Sequence, residues 1–395
     1  MIPRAASPCP REFGTIIALD IRHGCGQPVF RSKKSNDGVA TRRRGTLKGS
    51  LQTMRITASI HGRAAWLCAL LATSVLPSTA RAWDEEGHVI VTRLAWEKLP
   101  DDMPAWLKTP EVRYRLEYLS NEPDRWRGQK SVDLDHANSP NHYLDIDDLE
   151  PFGLTVMTLP PLRREFLDLM AARRALNPDK FPSRDPGRDR NYTFLVPGML
   201  PYEIAELHWK IAASWTTLKT YEKYREYVTD EMIENARENV VYHMGILSHF
   251  IGDGAQPLHT TRHHNGWVGP NPDKYTTKKS FHSYIDGGVI RHHRLRSEDM
   301  VSLAKPARRV TKTRYWRDIC RYLDESFAQV EPLYILEKSG ELNGEKGKEF
   351  IQTRLAEGGS MLAGAWAAAY RSATIDEFRV KRLLEKGKVS QPASP

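Results

Sequence analysis

The sequence predicts an all-α fold in a single domain, on two observations. Apolar residues recur at helical spacing in four long segments, and no run alternates apolar and polar residues long enough to predict a strand. The helical segments are 89–99, 201–224, 231–252 and 350–370. Pro100 follows the first segment directly and ends it, because proline cannot continue a helix.

Proline- and glycine-rich stretches separate these helices, chiefly residues 177–201 and 263–279. Such composition predicts loops, which lie on the surface and often carry binding residues. From about Asp376 the chain is charged and ends Gln-Pro-Ala-Ser-Pro. Residues 376–395 are therefore predicted to be a disordered tail, and the domain is predicted to span residues 83–375.

The basic charge of the chain is concentrated at its amino-terminal end. A formal net charge of +9 would normally suggest a nucleic-acid or anionic-membrane partner. Residues 1–82, however, hold 13 Lys and Arg and three acids, so residues 83–395 carry a formal charge of −1. The net charge therefore gives no information about the substrate.

Residues 54–82 have the three parts of a secretory signal peptide. Basic residues come first, an apolar run over 64–76 follows, and the small-x-small sequence Ala80-Arg81-Ala82 ends the segment. The run is too short for a transmembrane anchor, and the alternative of a buried core helix fits the Ala-x-Ala ending less well. The mature protein is predicted to begin at Trp83 and to be secreted or periplasmic. Residues 1–53 show no periodicity and are interpreted as an untranslated or disordered leader.

Cysteine usage limits how the mature chain is stabilised. Cys320 is the only cysteine after residue 82. An intramolecular disulfide is therefore excluded from the mature chain, although secreted proteins often contain them. Core packing and bound metal are expected to stabilise the fold instead.

The strongest chemical signal is the segment from His249 to His259, which reads His-Phe-Ile-Gly-Asp-Gly-Ala-Gln-Pro-Leu-His. His249 and Asp253 are four residues apart, so on a helix they share one face and can reach one metal. Gly254 and Pro257 break the helix, so His259 approaches from another direction and could hold a second ion. Imidazole nitrogen and carboxylate oxygen are the ligands of a catalytic zinc when no thiolate is available.

A second His-x-x-x-Asp pair, His282 and Asp286, again places two ligands on one helical face. Two such pairs and His259 within 38 residues are hard to attribute to chance. Upstream, His142 stands in His-Tyr-Leu-Asp and Asp124 in Glu-Pro-Asp-Arg-Trp-Arg. Each of these two would be unremarkable alone, but together with the pairs they predict a metal cluster.

Trp83 and His88, five residues apart and directly after the predicted cleavage site, complete the pattern. The chain from Trp83 to the last long helix resembles the superfamily that unites zinc-dependent phospholipases C with S1/P1-type single-strand-specific nucleases. In that family, signal-peptide cleavage exposes a tryptophan whose α-amino nitrogen and carbonyl oxygen chelate zinc. The resemblance implies that Trp83 is such a residue.

The resemblance also implies three zinc ions with separate ligand sets. These are Asp124, His142, His249 and Asp253 for one ion, Trp83, His88 and the shared Asp253 for its close neighbour, and His259, His282 and Asp286 for the third. Asp253, as the bridging ligand, and Asp124 are the predicted catalytic residues. Asp133 and Asp135 remain alternatives to Asp124.

A zinc cluster suits phosphodiester hydrolysis because the metals neutralise phosphate oxygens, generate hydroxide at neutral pH and stabilise the leaving oxygen. The resemblance implies an endonuclease acting on single-stranded DNA or RNA, or alternatively a phospholipase C acting on phosphatidylcholine-type lipids. Two spacings favour the nuclease, namely Trp83 to His88 and the 23-residue step from His259 to His282, and so does the segment 355–366.

The nuclease alternative assigns substrate binding to the segment that follows His142. Tyr143 would stack on a base and Asp145 would hydrogen-bond to it, as aromatic platforms do in single-strand binders. Against this alternative, the segment 142–249 is much longer than in the fungal nucleases. A non-catalytic, zinc-stabilised binding protein is the third hypothesis, and no stable protein partner is expected.

Overall fold

Helices form the fold throughout the part of the chain that the computed structural model describes, which is residues 83–389 without residues 182, 183, 188 and 194. These residues belong to one compact unit and contain no β-strand, only a single bridge between Leu144 and Gly198. The predicted all-α class is therefore confirmed. The predicted leader and signal peptide, residues 1–82, and the end of the predicted tail lie outside the described residues.

The α-helices are numbered here in chain order. They are α1 (Glu85–Glu97), α2 (Pro110–Leu119), α3 (Glu122–Arg127), α4 (Val132–Asn138), α5 (Arg163–Leu176), α6 (Leu200–Lys223), α7 (Asp230–Ala255), α8 (Phe281–Ser283), α9 (Val289–His293), α10 (Ser297–Met300), α11 (Tyr315–Phe327), α12 (Val330–Lys338), α13 (Glu345–Ser372) and α14 (Glu377–Lys386). Short 3-10 turns connect many of them. Among the described helices, none is both long and apolar enough to cross a membrane.

Four long helices, α1, α6, α7 and α13, pack around a common core. Their apolar faces are buried, as the helical spacing predicts, with Trp215 of α6 and Val240 of α7 fully enclosed. Trp366 of α13 is also fully buried, and its Nε1 donates a hydrogen bond to the Met244 carbonyl of α7 at 3.1 Å. Burying each large apolar side chain contributes about 1.5–3 kcal/mol, so this core fixes the position of α7.

Helix α7 lies between α1 and α11 where its predicted metal ligands occur. The Tyr322 hydroxyl of α11 donates to the Ile251 carbonyl at 2.7 Å. On the α1 side, a Cβ built on Gly252 would lie only 2.6 Å from Nδ1 of His88. A glycine is required at position 252 because the His88 ring occupies the space that any side chain would need.

The carboxy-terminal part departs from the predicted disorder. Residues 377–386 form α14, which begins where the Asp376 side chain accepts a hydrogen bond from the Arg379 amide at 2.9 Å. Val380 and Leu383 of α14 are buried. The prediction of disorder from Asp376 is wrong for these residues, because an aspartate cap and two spaced apolar side chains stabilise one more amphipathic helix.

Candidate metal centre

Among the residues that the structure describes, histidine and aspartate side chains form three groups, each of which could hold a metal ion. The groups are His88 with His249 and Asp253, Asp124 with His142 and His249, and His259 with His282 and Asp286. Within a group, one ligand atom from each residue lies within 4.8 Å of the others. The tertiary structure therefore brings together all eight side chains that the sequence predicts as ligands, from segments up to two hundred residues apart.

Asp253 lies between the first two groups. Its Oδ1 is 3.5 Å from Nε2 of His88, and its Oδ2 is 3.1 Å from Nδ1 of His142 and 3.4 Å from Nε2 of His249. All four side chains are fully or almost fully buried. The two carboxylate oxygens thus face different histidines, which is the arrangement that a bridging ligand needs.

His249 contributes to two groups, whereas the sequence assigns it to one ion. The His88 and His249 rings stack with centroids 4.0 Å apart and planes 21° apart. Gly252 allows this stacking because it leaves room for His88 against α7. The two stacked histidines face different oxygens of Asp253, a proximity that sequence spacing alone does not reveal.

Backbone carbonyls fix the orientation of two histidines. Nδ1 of His249 donates to the Ser120 carbonyl at 2.8 Å, and Nδ1 of His259 donates to the His142 carbonyl at 2.6 Å. A carbonyl can only accept, so the proton is on Nδ1 and Nε2 of each ring carries the lone pair. These Nε2 atoms lie 2.9 Å from Nδ1 of His142 and 3.0 Å from Nε2 of His282, respectively. Such carbonyl partners are typical of histidines that ligate metals.

Gln256 orients the carboxylate of the third group. Its Nε2 donates to Oδ1 of Asp286 at 2.7 Å, and its Oε1 accepts from the Leu258 amide at 2.6 Å. Oδ2 of Asp286 is left 3.4 Å from Nε2 of His282. The sequence predicts this pair on one helix, but the chain changes from α8 to a π-helical turn over Tyr284–Gly288 between the two residues. Single π-helical turns are frequent at functional sites.

Burial sets the charge state of the ligands. It lowers the pKa of His249 to about 3 and that of His259 to about 4. It raises the pKa of Asp253 and Asp286 well above the usual value, with Asp124 adding to the shift at Asp253. The imidazoles are therefore neutral and offer lone pairs, while ionised carboxylates at this depth need a nearby cation.

Several buried ligand atoms lack a hydrogen-bond partner within the described residues. They are both ring nitrogens of His88, Nε2 of His142, Nδ1 of His282, Oδ1 of Asp253 and Oδ2 of Asp286. Buried polar atoms are normally paired, so six unpaired atoms on these ligand residues indicate a missing partner that can accept lone pairs. Neutral imidazoles and carboxylates without thiolates are the donor set of catalytic zinc, and the residues present fit zinc ions.

Asp124 is the aspartate that reaches this centre. It lies on α3, and its Oδ1 accepts from Nη1 of Arg127 at 3.2 Å. Of the alternatives, Asp133 is exposed on α4, and Asp135 belongs to none of the three groups. Arg127 lines a cavity next to this centre. The sequence analysis does not predict a role for it, although it belongs to the motif Pro-Asp-Arg-Trp-Arg that contains Asp124.

Trp83 lies at the start of the described residues and is fully buried. The amide of the next residue, Asp84, donates to the Asp286 carbonyl at 3.0 Å. Arg291 of α9 holds the Asp84 side chain through an ion pair at 2.7 Å. The segment that carries Trp83 is therefore attached to the third group, and chelation by its α-amino nitrogen stays a prediction.

A cavity of about 600 Å³ adjoins the centre. Its lining includes the metal-group residues His142, His259 and His282, together with the predicted substrate-binding residues Tyr143 and Asp145. Its volume is in the range of small-molecule binding sites. The cavity therefore gives the metal groups a place where a substrate can bind.

Close backbone packing positions Tyr143 and Asp145. The Asp145 amide donates to the Pro197 carbonyl at 2.6 Å. A Cβ on Gly198, whose φ is +125°, would lie 2.0 Å from the Tyr143 carbonyl oxygen, so only glycine fits there. Burial raises the pKa of Asp145 well above its usual value, and Asp148 and Asp147 raise it further.

A family comparison agrees with this geometry. The S1/P1 nuclease family model matches residues 206–370. The matched segment contains His249, Asp253, His259, His282 and Asp286, while the other predicted ligands precede it. No curated protein matches the chain. On the family match and the all-helical fold, the chain is similar to the superfamily of S1/P1 nucleases and phospholipases C over residues 206–370.

Proposed function

We propose that the protein is a secreted zinc-dependent phosphodiesterase, specifically an endonuclease that hydrolyses single-stranded DNA or RNA. The similarity of residues 206–370 to the S1/P1 nuclease family supports phosphodiester hydrolysis of the nuclease type. The observation that carries the proposal is that three metal-group histidines and the pair Tyr143 and Asp145 line one cavity. Reactive chemistry and base recognition would thus occur side by side.

The centre would hold three zinc ions. The proposed ligands are Asp124, His142, His249 and Asp253 for one ion, Trp83, His88 and Asp253 for the second, and His259, His282 and Asp286 for the third. Bound zinc supplies Lewis acidity towards phosphate oxygens and a source of hydroxide at neutral pH. The structure supports the proposal through the proximity of these side chains and through their unpaired buried atoms.

The protein's own contribution is to hold the ligands in fixed orientations. The Ser120 and His142 carbonyls fix the rings of His249 and His259, and Gln256 leaves one oxygen of Asp286 free. Interactions of this kind with the ligands typically change metal affinity or activity 10- to 100-fold. We infer that Asp253, which faces His88 and His142 with different oxygens, is the ligand on which catalysis depends most.

Substrate binding is assigned to the cavity wall. Tyr143 is half-buried on this wall and can offer its ring to an unstacked base. Oδ1 of Asp145 is buried without a hydrogen-bond partner among the described residues, so it is free to bind a base edge. Residues 83–395 have a formal charge of −1, whereas binding of duplex DNA through counterion release needs many basic residues. Binding of single strands through base stacking on an aromatic side chain therefore suits the protein better.

The substrate is tested by assaying protein that begins at Trp83 in parallel on single-stranded DNA, RNA and phosphatidylcholine vesicles. We expect cleavage of the nucleic acids, its loss on chelation and its recovery with added zinc. Hydrolysis of phosphatidylcholine alone would instead assign the protein to the phospholipase C branch. No turnover of any substrate, with unfolding on zinc removal, would leave a zinc-stabilised binding protein.

Processing is tested through the amino group of Trp83. A residue fused before Trp83 converts the amine into an amide, which has no lone pair to donate, so one zinc and most activity should be lost. The matched control carries the same fusion after residue 395 and should keep both. Three zinc ions and full activity with the amino-terminal fusion would refute the ligand role of Trp83 and the need for cleavage.

A further inference from the structure

The cavity next to the metal centre has a second wall with a different chemistry. Phe152, Arg174, Lys180 and Phe181 line it, and they are called the outer wall below. These residues lie before the segment that matches the family model. The metal ligands therefore do not explain the outer wall, and its role has to be derived from its own contacts.

Arg174 is placed on the outer wall by the periodicity of α5. Phe166 and Met170 are buried, and Arg174 follows at the same four-residue spacing, on the same helical face. Its guanidinium carbon lies 5.2 Å from the Phe152 ring centroid and 6.0 Å from that of Phe181. Those two rings stack on each other at 4.6 Å, so a rigid aromatic surface holds the cation.

The charge of Arg174 is not neutralised by the protein around it. None of the ion pairs of residues 83–389, as far as the structure describes them, involves Arg174, and its Nε is buried without a hydrogen-bond partner. Burial removes part of the hydration of this cation and thereby lowers the pKa of Arg174. An arginine held on aromatic faces with donors unused is suited to bind an anion.

Lys180 adds a second positive charge at the same wall. It ends the short turn Pro178–Lys180 that follows α5, and its side chain is exposed to the cavity. Arginine matches two oxygens of a phosphate, and lysine adds a mobile point charge. The outer wall therefore offers the two kinds of cation that recognise phosphate, in the cavity that the metal-group histidines also line.

We propose that Arg174 and Lys180 bind a second phosphodiester of the nucleic-acid strand, adjacent to the one that is hydrolysed. The inference rests on the proposed function, because a nucleic acid carries a phosphate at every nucleotide. A phosphatidylcholine has one phosphate and would leave the outer wall unused. The protein is accordingly built to act on chains of nucleotides rather than on isolated phosphodiesters.

The test uses three substrates that differ in their second phosphate. They are a dinucleoside monophosphate, the same dinucleotide with a terminal phosphate, and a trinucleotide with two internal phosphodiesters. Arg174→Ala should raise KM for the trinucleotide about 10- to 100-fold, the loss typical of one charged hydrogen-bonded contact. Its kinetics on the dinucleoside monophosphate should not change, and Arg174→Lys should retain part of the trinucleotide binding.

Arg173→Ala is the matched control, because Arg173 is the preceding residue of α5 but is exposed and does not line the cavity. It should behave as wild type on all three substrates. A merely structural role for Arg174 would lower the melting temperature and impair all three substrates equally, and that result would overturn the proposal. A loss confined to the terminally phosphorylated dinucleotide would also overturn it.

The same assay separates this proposal from the function on which it rests. Wild-type protein that turns over the trinucleotide, together with an unaffected Arg174→Ala variant, would refute the second-phosphate site alone. Wild-type protein that hydrolyses none of the three substrates would refute the endonuclease assignment and the second-phosphate site with it.

Discussion

Replacing Gly252 with alanine tests whether the His88 ring must stay where the structure places it. The new Cβ would lie 2.6 Å from Nδ1 and 3.0 Å from Cε1 of His88, whereas ordinary contact begins at 3.4 Å. The ring would have to retreat by about 0.8 Å. It cannot do so freely, because His88 is fully buried and stacks on His249 at 4.0 Å.

The expected effect follows from the size of that displacement. A misplacement of about 1 Å can cost roughly 100-fold in rate, and disturbed ligand orientation costs about 10- to 100-fold in metal affinity. We therefore expect Gly252→Ala to lose the ion at the group of His88 and Asp253 and to fall about 100-fold in phosphodiester hydrolysis. The group of His259 should keep its ion. Elemental analysis of the purified variant, with a single-strand cleavage assay, measures both quantities.

Gly254→Ala is the matched control, two residues later on the same helix. Its Cβ would meet Tyr322 at 2.8 Å and Leu323 at 3.0 Å, which are core side chains and not metal ligands. Both variants gain the same helix propensity, about 1 kcal/mol, so this gain does not distinguish them. Because the new Cβ of Gly254→Ala collides with core side chains, this variant should lower the stability of the fold and leave the metal content intact. Equal metal loss in the two variants, or none in Gly252→Ala, would refute the argument.

Three further substitutions test other parts of the molecule. Asp253→Asn removes the charge that faces His88 and His142, so the binding of two metals should weaken together while the third ion stays bound. Three tightly bound metals by elemental analysis would contradict this expectation. Tyr143→Ala should slow single-strand cleavage about 10- to 100-fold, since stacking on one base is worth roughly 1–3 kcal/mol, while hydrolysis of a base-free chromogenic phosphodiester should barely change. His208 is buried against Tyr315, and burial lowers its pKa to about 4, below the value of about 6.5 in the unfolded chain. Between these two pKa values the unfolded chain binds a proton that the folded protein does not bind. The folded state therefore loses stability as pH falls from 6.5 towards 4. At pH 5 this loss is about 2 kcal/mol. In urea unfolding, the free energy of unfolding of His208→Phe should therefore drop less than that of the wild type between pH 7.5 and pH 5. Equal drops in the two proteins would exclude His208 as the cause.

Local patterns predict the parts of this fold that depend on neighbours in sequence. Helical spacing predicts the four long helices, and the spacing of His249 with Asp253 predicts a shared helical face. The same kind of reasoning fails at α14, where the cap at Asp376 and two apolar residues are overlooked in a charged stretch. It also gives no hint of the π-helical turn within the pair of His282 and Asp286.

Long-range geometry decides which predicted ligands meet. The sequence leaves Asp133 and Asp135 as alternatives to Asp124, but of the three only Asp124 joins a group with His142 and His249. The contact of His88 with His249 depends on the glycine at position 252. The outer wall depends on the stacking of Phe152 with Phe181, residues that carry no motif.

The sequence by itself therefore determined the all-α class, and it predicted the residue types of the candidate metal centre and the family resemblance, because periodicity and short-range spacing are local properties of the chain. The tertiary structure alone decided how the ligands group, which carbonyls orient them and that Arg174 lies on the cavity beside the metal histidines. These features depend on the packing of α1, α5 and α7 with segments distant in sequence. Side-chain distances of 3–4 Å between such segments follow from that packing and are not encoded in local spacing.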